Sequence, residues 1–164
     1  MAHGVALCLL LCVGACGFTL RGTQQLPFPT IALNFPPNSR LGAELARDIR
    51  TGTTTQILAD PARATVVFEL IADTRDRQVL TLNAQGRAIE YSLRERLRFR
   101  LRDGKGREVI EPTELIVQRD ISYNDSQRLS KESEEELLYR DMQTDLVQQL
   151  MRRIAAARPY AAAD

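Results

Sequence analysis

Between Ala88 and Arg102 the chain alternates almost without exception. Ile89, Tyr91, Leu93, Leu97, Phe99 and Leu101 share one side of an extended strand, while Arg94, Arg96, Arg98, Arg100 and Arg102 share the other. Glu95 is the one charge in the apolar row. Fifteen residues at about 3.3 Å each would span roughly 50 Å, so the molecule is expected to be elongated. Turn signals bracket this strand, Asn83 to Gly86 before it and Asp103 to Gly106 after it. The preceding segment, Ala64 to Leu82, is rich in Val, Ile, Leu and Thr and reads as a long strand with a bulge near Asp73 to Asp76. The following one returns with Leu115, Val117, Ile121 and Tyr123, and Pro112 marks a bulge or an edge position.

Helical spacing appears twice. Leu41, Leu45 and Ile49 predict a helix capped at Asn38 or Ser39, running to about Thr51 and ended by Gly52. Leu138, Met142, Leu146, Leu150 and Ile154 predict a longer one from Ser130 to Ala157. There Ser133 and Glu136 have capping-box spacing, and Arg152 and Arg153 sit at the negative end of the macrodipole. With a short strand at Thr30 to Phe35, the order becomes β-α-β-β-β-α. This implies an α/β (α+β) two-layer sandwich, a four-stranded mixed sheet with two helices on one face and the arginine face left without a covering helix.

Composition changes the picture mainly at the start of the chain. All 22 basic and 21 acidic residues lie beyond residue 15, and Val5 to Val13 is nearly continuously apolar. That run is too short to cross a bilayer but suits the hydrophobic core of a signal peptide. Val13, Gly14 and Ala15 then precede Cys16, which resembles the bacterial lipobox, although no Lys or Arg precedes the apolar run. The expected organisation is a signal peptide over 1–15, a lipidated tether over 16–29, one folded domain over 30–158 and a tail over 159–164. Cys16 is the expected attachment point for acyl chains, several of which together anchor a protein almost permanently. Gly17 after it favours, by resemblance to Gram-negative lipoproteins, sorting to the outer membrane.

Beyond the leader there is no His and no Cys other than Cys16. Zinc and copper centres and His-dependent triads are thereby excluded from the mature chain, as is an internal disulfide; no metal and no cofactor is expected. A net charge of +1 argues against a generally basic nucleic-acid binder. Glu132 to Glu136 have a structural reason as acids near a helix start, which weakens a two-carboxylate hydrolase reading. The arginine stripe has two readings. It is either neutralised across strands by Glu108, Glu111, Glu114 and the acids near Asp73 and Asp76, or a docking face for lipid phosphates or an acidic protein wall.

The run Cys16-Gly17-Phe18-Thr19-Leu20-Arg21-Gly22, Leu26-Pro27, the tract Ala59-Asp60-Pro61-Ala62-Arg63-Ala64 and the stretch from Ser122 to Ile154 together resemble the LptE family of lipopolysaccharide-assembly lipoproteins. The resemblance covers essentially the whole mature chain. It implies a non-enzymatic, lipid-anchored protein on the periplasmic side of the outer membrane. Such a protein plugs and helps assemble the LptD β-barrel and binds lipopolysaccharide on its way to the outer leaflet. In the family, basic residues at the long hairpin and at the start of the last helix contact the glycolipid. Arg87, Arg94, Arg96, Arg98, Arg100 and Lys131 are the candidates here. The alternative is an outer-membrane lipoprotein adaptor for a different periplasmic or barrel partner.

Overall fold

A computed structural model describes residues 25–123 and 128–158. The leader, Cys16 and the tail 159–164 lie outside the described residues. In chain order the elements are β1 (Thr30–Asn34), α1 (Arg40–Gly52), β2 (Gln56–Ile57), β3 (Val66–Leu82), β4 (Ala88–Asp103), β5 (Glu108–Ser122) and α2 (Arg128–Ala155), with a 3-10 turn at Pro61–Arg63. They form one sheet in the order β2-β1-β3-β4-β5. β1 is parallel to both its neighbours, and β3, β4 and β5 form an antiparallel meander.

The two-layer mixed architecture matches the hydrophobic pattern, but the sheet has five strands and not four. The extra one, β2, contributes only Gln56 and Ile57 alongside Thr30 and Ile31. Two residues are too few to show an alternation, so no periodicity marks them. What fixes them is hydrogen bonding: the Gln56 amide donates to the Pro29 carbonyl at 2.9 Å, and the Thr55 hydroxyl donates to the Phe28 carbonyl at 2.9 Å.

β4 behaves as its alternation requires. Leu93, Leu97, Phe99 and Leu101 are completely buried beneath the helices, and the arginines point to the open face. β3 follows that register only after a correction. Leu70 is opposite Phe99 and Ala72 is opposite Arg98, so Ile71 is an extra residue. This bulge lies upstream of the expected Asp73 to Asp76, and it exchanges the two faces of β3. Phe68 and Glu69 obey one parity; Asp73 and Arg75 obey the other. At Pro112 the expectation of a bulge and an edge both hold, since β5 is the last strand and its pairing with β4 slips between Thr113 and Ile110.

Both hairpins close on the same device. Asn83 and Asp103 each accept two backbone amides on the side-chain oxygen, and Gly86 (φ 74°) and Gly106 (φ 82°) supply the left-handed position that follows.

α1 is capped by Ser39, whose hydroxyl accepts the Gly42 amide at 3.0 Å. It runs through Gly52 and stops at Thr53, where the amide and the hydroxyl both donate to the Ile49 carbonyl. α2 begins at Arg128, more than a turn ahead of the capping-box spacing at Ser133, so that pair lies inside the helix and no acid occupies its first turn. Its 28 residues give a rod of about 42 Å. α1 and α2 run side by side in the same direction, joined by Arg40 to Glu136 at 3.4 Å and by Gln143 and Thr144 to Glu44 at 2.7 and 2.9 Å.

The core between helices and sheet is one continuous cluster. Across its middle, Phe35, Phe68 and Phe99 stack with centroids 5.0 and 5.4 Å apart. Gly42 makes this possible, because a Cβ there would sit 2.7 Å from Cγ of Phe35. Alanine in a helix interior ordinarily gains about 1 kcal/mol over glycine, whereas forced overpacking costs about 1–3 kcal/mol. Gly42→Ala is therefore expected to lower stability, and urea unfolding that showed a rise in the midpoint would refute the packing role of this glycine.

Candidate functional site

The basic residues singled out by sequence fall into two separate places. Arg94, Arg96, Arg98 and Arg100 are on the open face of the sheet. Arg87 lies at the far end of the β3–β4 hairpin, and Lys131 near the start of α2, which is at that same end: Glu135 of α2 pairs with Arg77 of β3, and Tyr139 donates to the Asp76 carbonyl.

On the open face most of the arginines are already answered. Arg96 pairs with Asp76 at 2.7 Å, and Arg100 pairs with Glu69 at 2.7 Å and with Glu108 at 3.6 Å. Arg102 also pairs with Glu69, and Arg94 donates to Gln118. Arg98 is exposed, opposite Ala72 on one side and Glu114 on the other. Glu69 is the acid that sequence reasoning missed, and the bulge at Ile71 is the reason, because it decides which acids of β3 share the arginine face. Burial pushes the Glu69 carboxyl upward, but Arg102 and Arg100 together outweigh it and hold the group below its ordinary value. The stripe thus forms a polar face whose charges largely neutralise one another.

Asp73 and Arg75, displaced by the bulge to the helix side, make a different site. Glu95 is fully buried and receives a hydrogen bond from Arg75 at 3.0 Å. The same guanidinium reaches Gln143 at 3.5 Å and lies 5.0 Å from the centre of the Tyr139 ring. Gln143 in turn bonds Glu44, so one polar thread crosses β4, β3, α2 and α1. Burial raises the pKa of Glu95, partly offset by Arg75, and burial raises that of Asp73 likewise. Glu95 is sealed from solvent, whereas Asp73 is exposed. A groove of about 440 Å³ between α1 and the β1–β2 edge is lined by Leu33, Phe35, Ala46 and Ile57, with Arg50 and no carboxylate. Among the described residues no group of His, Cys, Asp and Glu is arranged to hold a metal ion.

The hairpin end has the opposite character to the open face. Val79, Leu80, Leu82 and Ile89 are all exposed, from 39% to 57%. Beside them Arg77 stacks over Tyr91 at 4.5 Å, and Tyr91 meets Tyr123 edge-on at 5.6 Å. Lys131 pairs with Glu134 at 2.7 Å, its stem covered so that only 15% of the side chain is exposed. Exposed aliphatic side chains, aromatic faces and cations gathered at one end of the body match an amphiphile with an anionic head, although Ile71 and Ile116 are exposed elsewhere on the sheet. Arg77 was not among the residues singled out by sequence. Its only signal was its place on a strand leading to an apolar hairpin tip. Among the described residues no helix is long and apolar enough to cross a membrane.

The family model LptE, described as lipopolysaccharide-assembly, matches residues 28–154. The LPS-assembly lipoprotein LptE of Photorhabdus laumondii is 26% identical over 94% of this chain and 87% of its own length. The protein of the same name from Yersinia enterocolitica is 28% identical over 94% of this chain and 77% of its own length. Among solved structures, an uncharacterized lipoprotein B from Nitrosomonas europaea superposes with a TM-score of 0.75 at 33% identity, covering 85% of this chain and 91% of the other.

The buried acids imply a measurable pH dependence. A carboxyl whose folded pKa lies above its unfolded value costs stability when ionised, and that cost is relieved as pH falls through the folded pKa. Stability should therefore rise as pH drops from neutral toward 4.5, the ordinary value for Glu95. It should fall again below that range as Glu69, held low by its arginines, takes up a proton. Glu95→Gln should make the first limb shallower, leaving the part owed to Asp73, and leave the second. Urea unfolding across this pH range checks both limbs, and an unchanged first limb in the variant would remove Glu95 as its source.

Proposed function

Because the chain belongs to the LptE family of lipopolysaccharide-assembly proteins, we propose that it is a non-enzymatic, lipid-anchored component of the outer membrane. It fills the lumen of an LptD-type β-barrel, assists its assembly, and binds lipopolysaccharide through the hairpin end. The observation that carries the glycolipid part is the convergence there of exposed Val79, Leu80, Leu82 and Ile89 with Arg77, Arg87 and Lys131. Lipid A offers acyl chains to the first group and phosphates to the second.

The open face supports the barrel part. The lumen of an outer-membrane barrel is polar, and burying unpaired charge against it costs several kcal/mol. A face on which Arg96, Arg100 and Arg102 are paired within the protein can be enclosed without that cost. Acylation of Cys16 would supply the anchor. In the folded body, Phe28 and Pro29 bond to Thr55 and Gln56 beside the start of β3, at the end of the sheet opposite the hairpin tip. Phe28 and Pro29, the described end of the expected tether, are thus at the opposite end of the sheet from the hairpin tip.

Two outcomes are expected. Solubilised outer membranes should yield a stable one-to-one complex with the barrel, and recovery of the protein alone would sink the plug reading. Arg87→Glu or Lys131→Glu should weaken lipopolysaccharide binding about tenfold, whereas Arg98→Glu on the open face should leave it nearly unchanged. The comparison is read by titration with labelled lipopolysaccharide, and equal loss in all three variants would detach the site from the hairpin end.

A further inference from the structure

The face of α2 that packs on the sheet changes character along its length. From Ile154 back through Leu150, Leu146 and Met142 to Tyr139 it is apolar and buried. One and two turns earlier, the positions continuing that stripe are Glu135 and Lys131. They stand over a hairpin whose helix-facing side chains are Arg77, Val79, Ile89 and Tyr91. Here the helix turns charged residues toward a row that mixes a cation with apolar and aromatic groups, unlike its remaining turns, and such departures concentrate at functional sites.

The charges there are arranged as occupied cation sites. Arg77 is held by Glu135 at 3.1 Å and Lys131 by Glu134 at 2.7 Å. Both are single carboxylates meeting a cation that would bind a phosphate with more oxygens and more charge. The segment that carries them is also weakly held: from Ser130 to Leu138 not one side chain is fully buried, and the first that is belongs to Tyr139. Few buried contacts mean a low cost of local displacement.

We propose that Glu134 and Glu135 are an autoinhibitory gate. In the resting protein they occupy Lys131 and Arg77. An acylated lipid bearing phosphates displaces the two carboxylates, takes both cations, and lays a chain against Ile89 and Tyr91. The inference rests on the glycolipid reading above and adds to it the acidic residues that oppose binding.

The test compares the full chain in detergent with Glu134→Gln/Glu135→Gln, using as probes a hexaacylated disaccharide carrying two phosphates and the same lipid with its phosphates removed. The double variant should bind the phosphorylated lipid about three- to tenfold more tightly and the dephosphorylated one unchanged. Glu132→Gln/Asp141→Asn makes the same change of charge on the same helix and should leave both affinities as they are. Ile89→Asn should weaken the phosphorylated lipid in either background. Equal tightening by the control pair, or for the dephosphorylated lipid, overturns the gate, as does inorganic phosphate competing as well as the lipid. Wild-type binding with no gain in the double variant overturns the gate alone; no binding by the wild type removes the glycolipid reading as well.

Discussion

β4 is paired along nearly its whole length on both sides, so the direction of each of its side chains dictates what every neighbouring element must present. Its apolar row demands a covering layer, which the stripes of α1 and α2 supply. Its arginine row demands anions within reach, and one extra residue in β3 decides which acids answer it. Had β3 run without the bulge at Ile71, Asp73 and not Asp76 would share a face with Glu69, together with Arg75 and Arg77, which would add two more cations to that face. The bulge thus assigns acids to faces: Glu69 and Asp76 to the arginines, Asp73 to the underside with Arg75.

This division also gives the molecule its axis. Toward the start of β3 the core is aromatic and closed, with Phe35, Phe68 and Phe99 stacked and Gly42 admitting the first of them. Midway along β4 the polar thread through Glu95, Arg75, Gln143 and Glu44 replaces that packing. Beyond the thread Leu93 and Ile121 are still buried, but at the hairpin tip Val79, Leu80, Leu82 and Ile89 are exposed. Burial therefore declines along the sheet toward the end where the proposed glycolipid site lies.

The alternation of β4, both hairpin turns, the helical stripes and the two-layer order were legible because each is written as a period or as turn chemistry over several residues. The bulge was misplaced because one extra residue leaves little trace in a segment such as Ile71 to Asp76, where apolar and charged residues already mix. β2 was invisible because pairing of two residues depends on backbone groups that sequence does not distinguish. The candidate site was half legible. Arg87 and Lys131 could be named from family resemblance, yet that they share an end with Arg77, Tyr91 and the exposed tip depends on where α2 starts. The helix, expected from Ser130, begins at Arg128, and the capping-box spacing at Ser133 lies inside it.

The arginine stripe shows why a strong pattern is not by itself a site. Five like charges at every second position seem to require an external anion only while the opposite strands are unknown. Once Glu69, Asp76 and Glu108 are placed, the stripe fits a surface prepared for enclosure, and the requirement for an external anion weakens on that face. At the hairpin end the cations are paired as well, but there the pairing partners lie on a weakly buried stretch of helix above apolar side chains. The same ion pair therefore has different consequences in the two places. On a sheet fixed by continuous backbone pairing it neutralises a face, whereas on a helix end that adds no fully buried side chain before Tyr139 the proposed gate would exchange it for a lipid phosphate.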